Sequence, residues 1–122
     1  MSKNFSILAR FKSFKHAFNG IRFLINEEHN ARVHIVAVIC VVFTGFYCCI
    51  SSLEWLAIIL SIGLVISMEI INSTIENICD FISPEKHKLI KKIKDLAAAA
   101  VLISALTSIV IAAVIFIPKF MV

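Results

Sequence analysis

The stretch Ile66-Ser67-Met68-Glu69-Ile70-Ile71-Asn72-Ser73-Thr74-Ile75-Glu76-Asn77-Ile78-Cys79-Asp80 starts inside a long apolar run and ends in polar territory. Glu69, Asn72, Ser73, Glu76 and Asp80 lie at offsets of 0, 3, 4, 7 and 11. At about 100° per residue they share one helix face within an arc of roughly 100°. Glu69 is the unusual member, because the apolar run has not yet ended where it stands. An ionisable group at membrane depth is costly and by default marks function.

The flanking sequence makes that depth explicit. Of 122 residues, 60% are hydrophobic and only 16% charged, too apolar a balance for a soluble domain of this length. Only three Gly and two Pro interrupt it, so the long apolar runs read as helices rather than strands. Residues 33–50 hold no Lys, Arg, Asp or Glu and suffice for a slightly short transmembrane helix. Ser51-Ser52 marks a tight connection. Residues 53–71 form a second span, entered through Glu54 and Trp55, where an interface favours Trp. The helical pattern continues past the membrane to about Ile82. Ser83-Pro84-Glu85 then carries the residue types that start a helix. The new helix runs into a third span, residues 96–117, ended by Pro118 and Lys119. The run Ala97-Ala98-Ala99-Ala100 permits close helix approach.

Residues 5–26 are amphipathic. Phe11, Phe14, Phe18, Ile21 and Ile25 recur at spacings of three and four, with Lys12, Lys15, Asn19 and Arg22 on another face. That is the pattern of a helix lying in the membrane interface. Cations break up the apolar residues there, so no signal peptide is expected. Between this helix and the first span lies a polar knot, residues 26–34. Glu28 and Arg32 are four apart in it, which permits either an ion pair along one helix or a carboxylate reaching into a site. The four cysteines form no C-x-x-C pair and read as small buried hydrophobes rather than a disulfide or zinc framework.

Net charge is +4, distributed unevenly. Lys3, Arg10, Lys12, Lys15, Arg22 and Arg32 precede the first span, and Lys86, Lys88, Lys91, Lys92 and Lys94 lie between the second and third. None lies between the first and second, and Lys119 alone follows the third. This asymmetry speaks to topology rather than to nucleic acid: the N-terminus and residues 72–95 are expected in the cytoplasm, the C-terminus outside. The acidic residues other than Glu54 then collect at the inner membrane surface, and the span midsections carry no charge. A translocation path would place charges near mid-membrane. A site facing both cytosol and lipid suits an enzyme joining a soluble reagent to a lipid headgroup. Glu28 and Glu76 could give hard oxygen ligands to Mg²⁺, a partly desolvated Glu69 suits a general base, and Lys94 could meet a phosphate. No G-x-x-x-x-G-K-[ST] or G-x-G-x-x-G nucleotide cradle is present. The alternative from another class is a non-catalytic membrane protein, such as a transporter subunit or assembly factor.

Three motifs resemble those of the small bacterial integral-membrane lipid kinases, comprising diacylglycerol kinase and undecaprenol kinase. Glu69-Ile70-Ile71-Asn72-Ser73-Thr74-Ile75-Glu76 is similar to the family's E-x-x-N-(S/T)-x-x-E, followed by Asp80. Residues 94–102, beginning Lys94-Asp95, resemble A-K-D-x-x-(A/S)-x-A-V-L, with Ile93 in place of the small residue. Glu28-His29-Asn30-Ala31-Arg32-Val33-His34 resembles E-x-N-x-R-x-H. The resemblance, over roughly residues 10–115, implies an all-α homotrimer of three-span protomers with an interfacial N-terminal helix. It implies ATP-dependent phosphorylation of a lipid hydroxyl in the inner membrane. By position it implies Glu69 as general base, Glu28 and Glu76 on Mg²⁺, and Asn72, Lys94 and Asp95 as polar active-site residues. Lys94 would meet the γ-phosphate. It implies Asp80, Glu85 and His87 toward the nucleotide, with Lys12 and His16 near it. A Tyr is common in the family where His16 stands.

Overall fold

The computed structural model describes residues 4–85 and 87–121. Lys3 and Lys86, two of the cations in the charge asymmetry, lie outside them. The described chain is helical: α1 (Ile7–Glu27), α2 (His29–Cys48), α3 (Ser52–Ile82) and α4 (Lys88–Phe120). Three of these, α2, α3 and α4, are long and apolar enough to cross a membrane. The 31 residues of α3 extend about 46 Å at 1.5 Å per residue, longer than a hydrocarbon core of about 30 Å. One helix therefore runs through the second expected span and the polar stretch beyond it.

α3 is the axis of the protomer. It packs along α4 over most of its length, while α2 meets both less extensively. A small core closes one end: Ile50, Ile58 and Ile115, with Val41, Trp55, Ile62 and Phe116 against them. The turn there is tight. Cys49 ends α2 in the left-handed region (φ 52°), and Ser51 and Glu54 form a reciprocal capping box at the start of α3. Lys119 reaches Glu54 at 3.2 Å and ties the last turn of α4 to the first of α3. Most other large apolar side chains face outward, as they would toward lipid.

α1 is capped by Ser6, whose side chain accepts a hydrogen bond from the Ala9 N–H (3.3 Å). Phe11, Phe14 and Phe18 are exposed on it, and Leu24 is its buried residue. α1 thus docks by its C-terminal end and leaves an apolar face without a partner in the protomer.

Several local expectations are corrected. Ser83 does not start the last helix; it ends α3, its N–H bonded to Cys79 O (2.9 Å) and its hydroxyl to Glu85 O (3.2 Å). Pro84 bars α3 from continuing. His87 takes the capping role instead, Nδ1 accepting from the Leu89 N–H at 3.1 Å, so α4 starts at Lys88. Pro118 does not end α4, which runs to Phe120. A proline so close to the end forfeits one backbone bond, and Met121 N still reaches Ile117 O at 3.2 Å. The cysteines are all free, but within the protomer only Cys79 is buried; Cys40 and Cys49 are exposed. Of the alanine run, only Ala97 is buried.

Gly45 is required by its surroundings. A Cβ there would lie 2.7 Å from Trp55 Cη2 and 3.2 Å from Ile50 Cδ1. Gly45→Val is expected to cost about 1–3 kcal/mol through overpacking. Gly20→Ala, with nothing within 4 Å, is expected to be neutral or to gain up to about 1 kcal/mol. Unfolding of both variants in detergent micelles checks the contrast.

Candidate active site

The polar face of α3 turns from interior to solvent along its length. Glu69, Asn72 and Ser73 are buried, Glu76 is half-buried and Asp80 is exposed. Helical periodicity sets their alignment, and packing against the other helices sets which of them lose water. Glu69 retains 1% exposure and is among the most enclosed side chains of the chain.

Three elements converge on Glu69. From the second turn of α2, His34 brings Nε2 to 3.6 Å from Glu69 Oε2, close enough for electrostatic pairing but too long for a hydrogen bond. Glu28 and Glu76 lie near enough for their charges to act on the same carboxyl. Glu28 is the single non-helical residue joining α1 to α2, and its Oε1 accepts a hydrogen bond from Ser73 Oγ (2.8 Å). Asn72 Nδ2 donates to Glu76 Oε1 at 3.4 Å. Glu69 Oε2 and Asn72 Oδ1 are buried without a hydrogen-bond partner. A buried polar atom left so is costly unless a further group completes it.

A second cluster stands on the solvent side. Lys94 Nζ donates to Asp80 Oδ1 (2.6 Å), and Lys91 Nζ to Asp95 Oδ2 (2.6 Å). The hydrogen bond to Asp80 raises the pKa of Lys94 above the ordinary lysine value, so its ammonium is charged throughout the physiological range. The neighbouring Glu76 charge also favours this form, linking the two clusters. Asp80, Glu85, His87, Lys91, Lys94 and Asp95 line an open cavity of about 500 Å³. On the other side of Glu69, His34 stands at one end of an apolar cavity of about 230 Å³ between α2, α3 and α4, lined by residues such as Val38, Ile62 and Ala105.

Most of the site residues named from sequence are therefore gathered in two adjoining groups. Lys12 and His16 are exposed on α1 and take no part in either. The ion pair available to Glu28 and Arg32 is not formed. Arg32 folds back onto the carbonyls of Ile25 (2.8 Å) and Asn26 (2.6 Å), leaving Glu28 for Ser73. His34 as partner of Glu69, and Ser73 as partner of Glu28, could not be read from spacing. Both contacts cross between helices, and only the common membrane level of these residues hinted at them.

Among the described residues no three or more His, Cys, Asp or Glu side chains gather to cage a metal. Two carboxylates beside unpartnered carboxyl and amide oxygens fit a hard cation that arrives with other oxygen ligands, as Mg²⁺ does on phosphates. The arrangement sets an unpartnered buried carboxylate, a group type able to take a proton from a hydroxyl, on the same helix as a solvent-open cavity lined by both lysines and acids.

The sequence matches the family described as prokaryotic diacylglycerol kinase over residues 15–116. It is 41% identical over 109 residues to an undecaprenol kinase of Bacillus subtilis, covering 89% of each chain. It is 35% identical over 108 residues to a diacylglycerol kinase of Helicobacter pylori, covering 82% of this chain and 84% of that one. A diacylglycerol kinase of Escherichia coli is 31% identical over 99 residues, 81% of each.

The bond between Ser73 and Glu28 generates a prediction. Ser73→Ala is expected to cost about 1.5–3 kcal/mol, the worth of a hydrogen bond to a charged acceptor. Ser73→Thr, which keeps the hydroxyl, is expected to recover most of it. Thermal unfolding of the purified variants reads the difference.

Proposed function

The chain belongs to the prokaryotic diacylglycerol kinase family, and from that premise we propose that it transfers the γ-phosphate of Mg-ATP to the hydroxyl of a membrane lipid alcohol. The observation that carries this reading is the position of Glu69. It is a buried carboxylate with an unpartnered oxygen, one helical turn past Val65 of the apolar cavity and three turns before Asp80 of the charged, open one.

In this reading the lipid tail lies along the apolar side, and its hydroxyl rises beside Glu69. The carboxylate takes the hydroxyl proton. The alkoxide oxygen bonds to the γ-phosphorus as the bond from that phosphorus to the β-γ bridging oxygen breaks, and ADP leaves with that oxygen. His34 stands beside Glu69 on the α2 side, Nε2 3.6 Å from Oε2. Lys94 exchanges Asp80 for the γ-phosphate, and Asn72 and Asp95 complete the polar wall. Asp80, Glu85 and His87 face the nucleotide, with Lys12 and His16 approaching it from α1. Glu28 and Glu76 would hold Mg²⁺, which when bound offsets phosphate charge. Little covalent chemistry falls to the protein, so rate would come from positioning and electrostatics.

The same reading puts α1 in the inner interface of the bacterial cytoplasmic membrane, with the N-terminus and the α3–α4 loop cytoplasmic. It also makes the enzyme a homotrimer. Three thin spans enclose little volume, and apolar faces of α1, α2 and α4 are left for other copies and for lipid. The acceptor is a prenol alcohol or a diacylglycerol; the 41% identity to a protein named undecaprenol kinase favours the prenol.

Purified protein incubated with radiolabelled ATP, Mg²⁺ and mixed micelles of undecaprenol and diacylglycerol tests the proposal. Labelled lipid is expected, with undecaprenol turned over faster. No label in either lipid would favour a non-catalytic membrane protein.

A further inference from the structure

The polar knot holds one side chain for which the phosphoryl-transfer scheme has no use. Arg32 lies in the first turn of α2, yet its guanidinium points back across the helix joint. Nε donates to Ile25 O at 2.8 Å and Nη2 to Asn26 O at 2.6 Å, while Nη1 stands 3.4 Å from His29 Nδ1. The two carbonyls belong to the last turn of α1, where helix geometry leaves such groups without a backbone partner. A cation there also meets the negative end of the helix dipole. One rigid planar fork thus fastens the end of α1 to the start of α2.

What the fork fastens is Glu28. This residue is at once the C-cap of α1 and the N-cap of α2, with extended backbone (φ −111°, ψ 114°). As the N-cap it makes no side-chain bond to its own helix. Its carboxylate reaches across to Ser73 on α3 instead. The position of that carboxylate depends on the angle between α1 and α2, and the described contact that crosses the joint with charged donors is made by Arg32.

We propose that Arg32 is a positioning residue, locking the α1–α2 joint so that Glu28 is held where a divalent cation on a triphosphate meets it. This rests on the reading of Glu28 as a cation-holding carboxylate. Arg32 itself touches neither substrate nor metal. Its effect passes through backbone carbonyls to the residue between two helices. Lysine cannot replace it, because an ammonium is a single point of charge and cannot span two carbonyls at fixed angles.

The test uses the full-length protein in detergent micelles, with Mn²⁺ and a non-hydrolysable ATP analogue, read by electron paramagnetic resonance. Arg32→Lys is expected to weaken Mn²⁺ binding about 10-fold, the usual scale for losing a group that orients a ligand. Hydrogen exchange at the amides of residues 27–29 is expected to quicken, with the unfolding temperature close to that of the parent. Arg32→Gln, which keeps a planar donor without charge, is expected to fall between the two. Unchanged Mn²⁺ affinity in a folded Arg32→Lys protein would overturn the inference alone. Failure of the parent protein to bind Mn²⁺ with the analogue would overturn the reading of Glu28 beneath it, and the inference with it.

Discussion

The cost of enclosing the carboxylate of Glu69 organises this protein. A carboxyl group with 1% exposure, in the middle of the 31-residue α3 and two residues before the end of the expected span, needs charge or hydrogen-bond compensation from its surroundings. Within the protomer the compensation is partial: His34 at 3.6 Å, and no hydrogen bond to Oε2. Glu28 and Glu76 add like charge to the neighbourhood rather than relieving it. Such a site is far from self-sufficient, with a buried carboxyl oxygen that has no hydrogen-bond partner in the protomer. Its strain is the kind that persists at functional positions because the rest of the fold over-determines it.

That over-determination comes from two ends of the molecule. At the far end, the Ile50–Ile58–Ile115 cluster, the Ser51–Glu54 capping box and the Lys119–Glu54 pair fix α2, α3 and α4 in register. Gly45 lets Trp55 lie flush against α2, with the Trp55 and Phe46 ring centroids 4.9 Å apart. At the site end, α1 is fastened by its last turn only. Scaffold and site are thus separated by the length of a span. The apolar exterior of α2, α3 and α4 gains little from pairing in lipid, where the hydrophobic effect does not draw helices together. Close packing and the few polar contacts, such as Ser108 Oγ to Ser61 O at 3.5 Å, carry more of the specificity than in a soluble bundle.

Much of this was legible in the chain itself. The charge-free runs announced the spans, and the 0, 3, 4, 7, 11 spacing of Glu69 to Asp80 placed one polar face on one helix. Local chemistry was misread where two elements competed for one residue. Ser83 has the composition of a helix start but is consumed in closing α3, and His87 inherits its role. Glu28 and Arg32 have the spacing of an intrahelical pair, but both reach outside their helix for partners. Cross-helix partners of Glu69 and Glu28 depend on the rotation and depth of α2 against α3, which no single-helix periodicity encodes. Burial of the cysteines was overestimated for a single protomer, because apolar residues facing lipid look the same in sequence as apolar residues facing protein.

Phosphoryl transfer from radiolabelled ATP by the Glu69→Gln protein tests the central claim most directly, since amide and carboxylate differ little in size but only one can take the proton. The account predicts loss of labelled lipid, with nucleotide binding and unfolding temperature close to those of the parent. Transfer at the parental rate by a folded Glu69→Gln protein would contradict it.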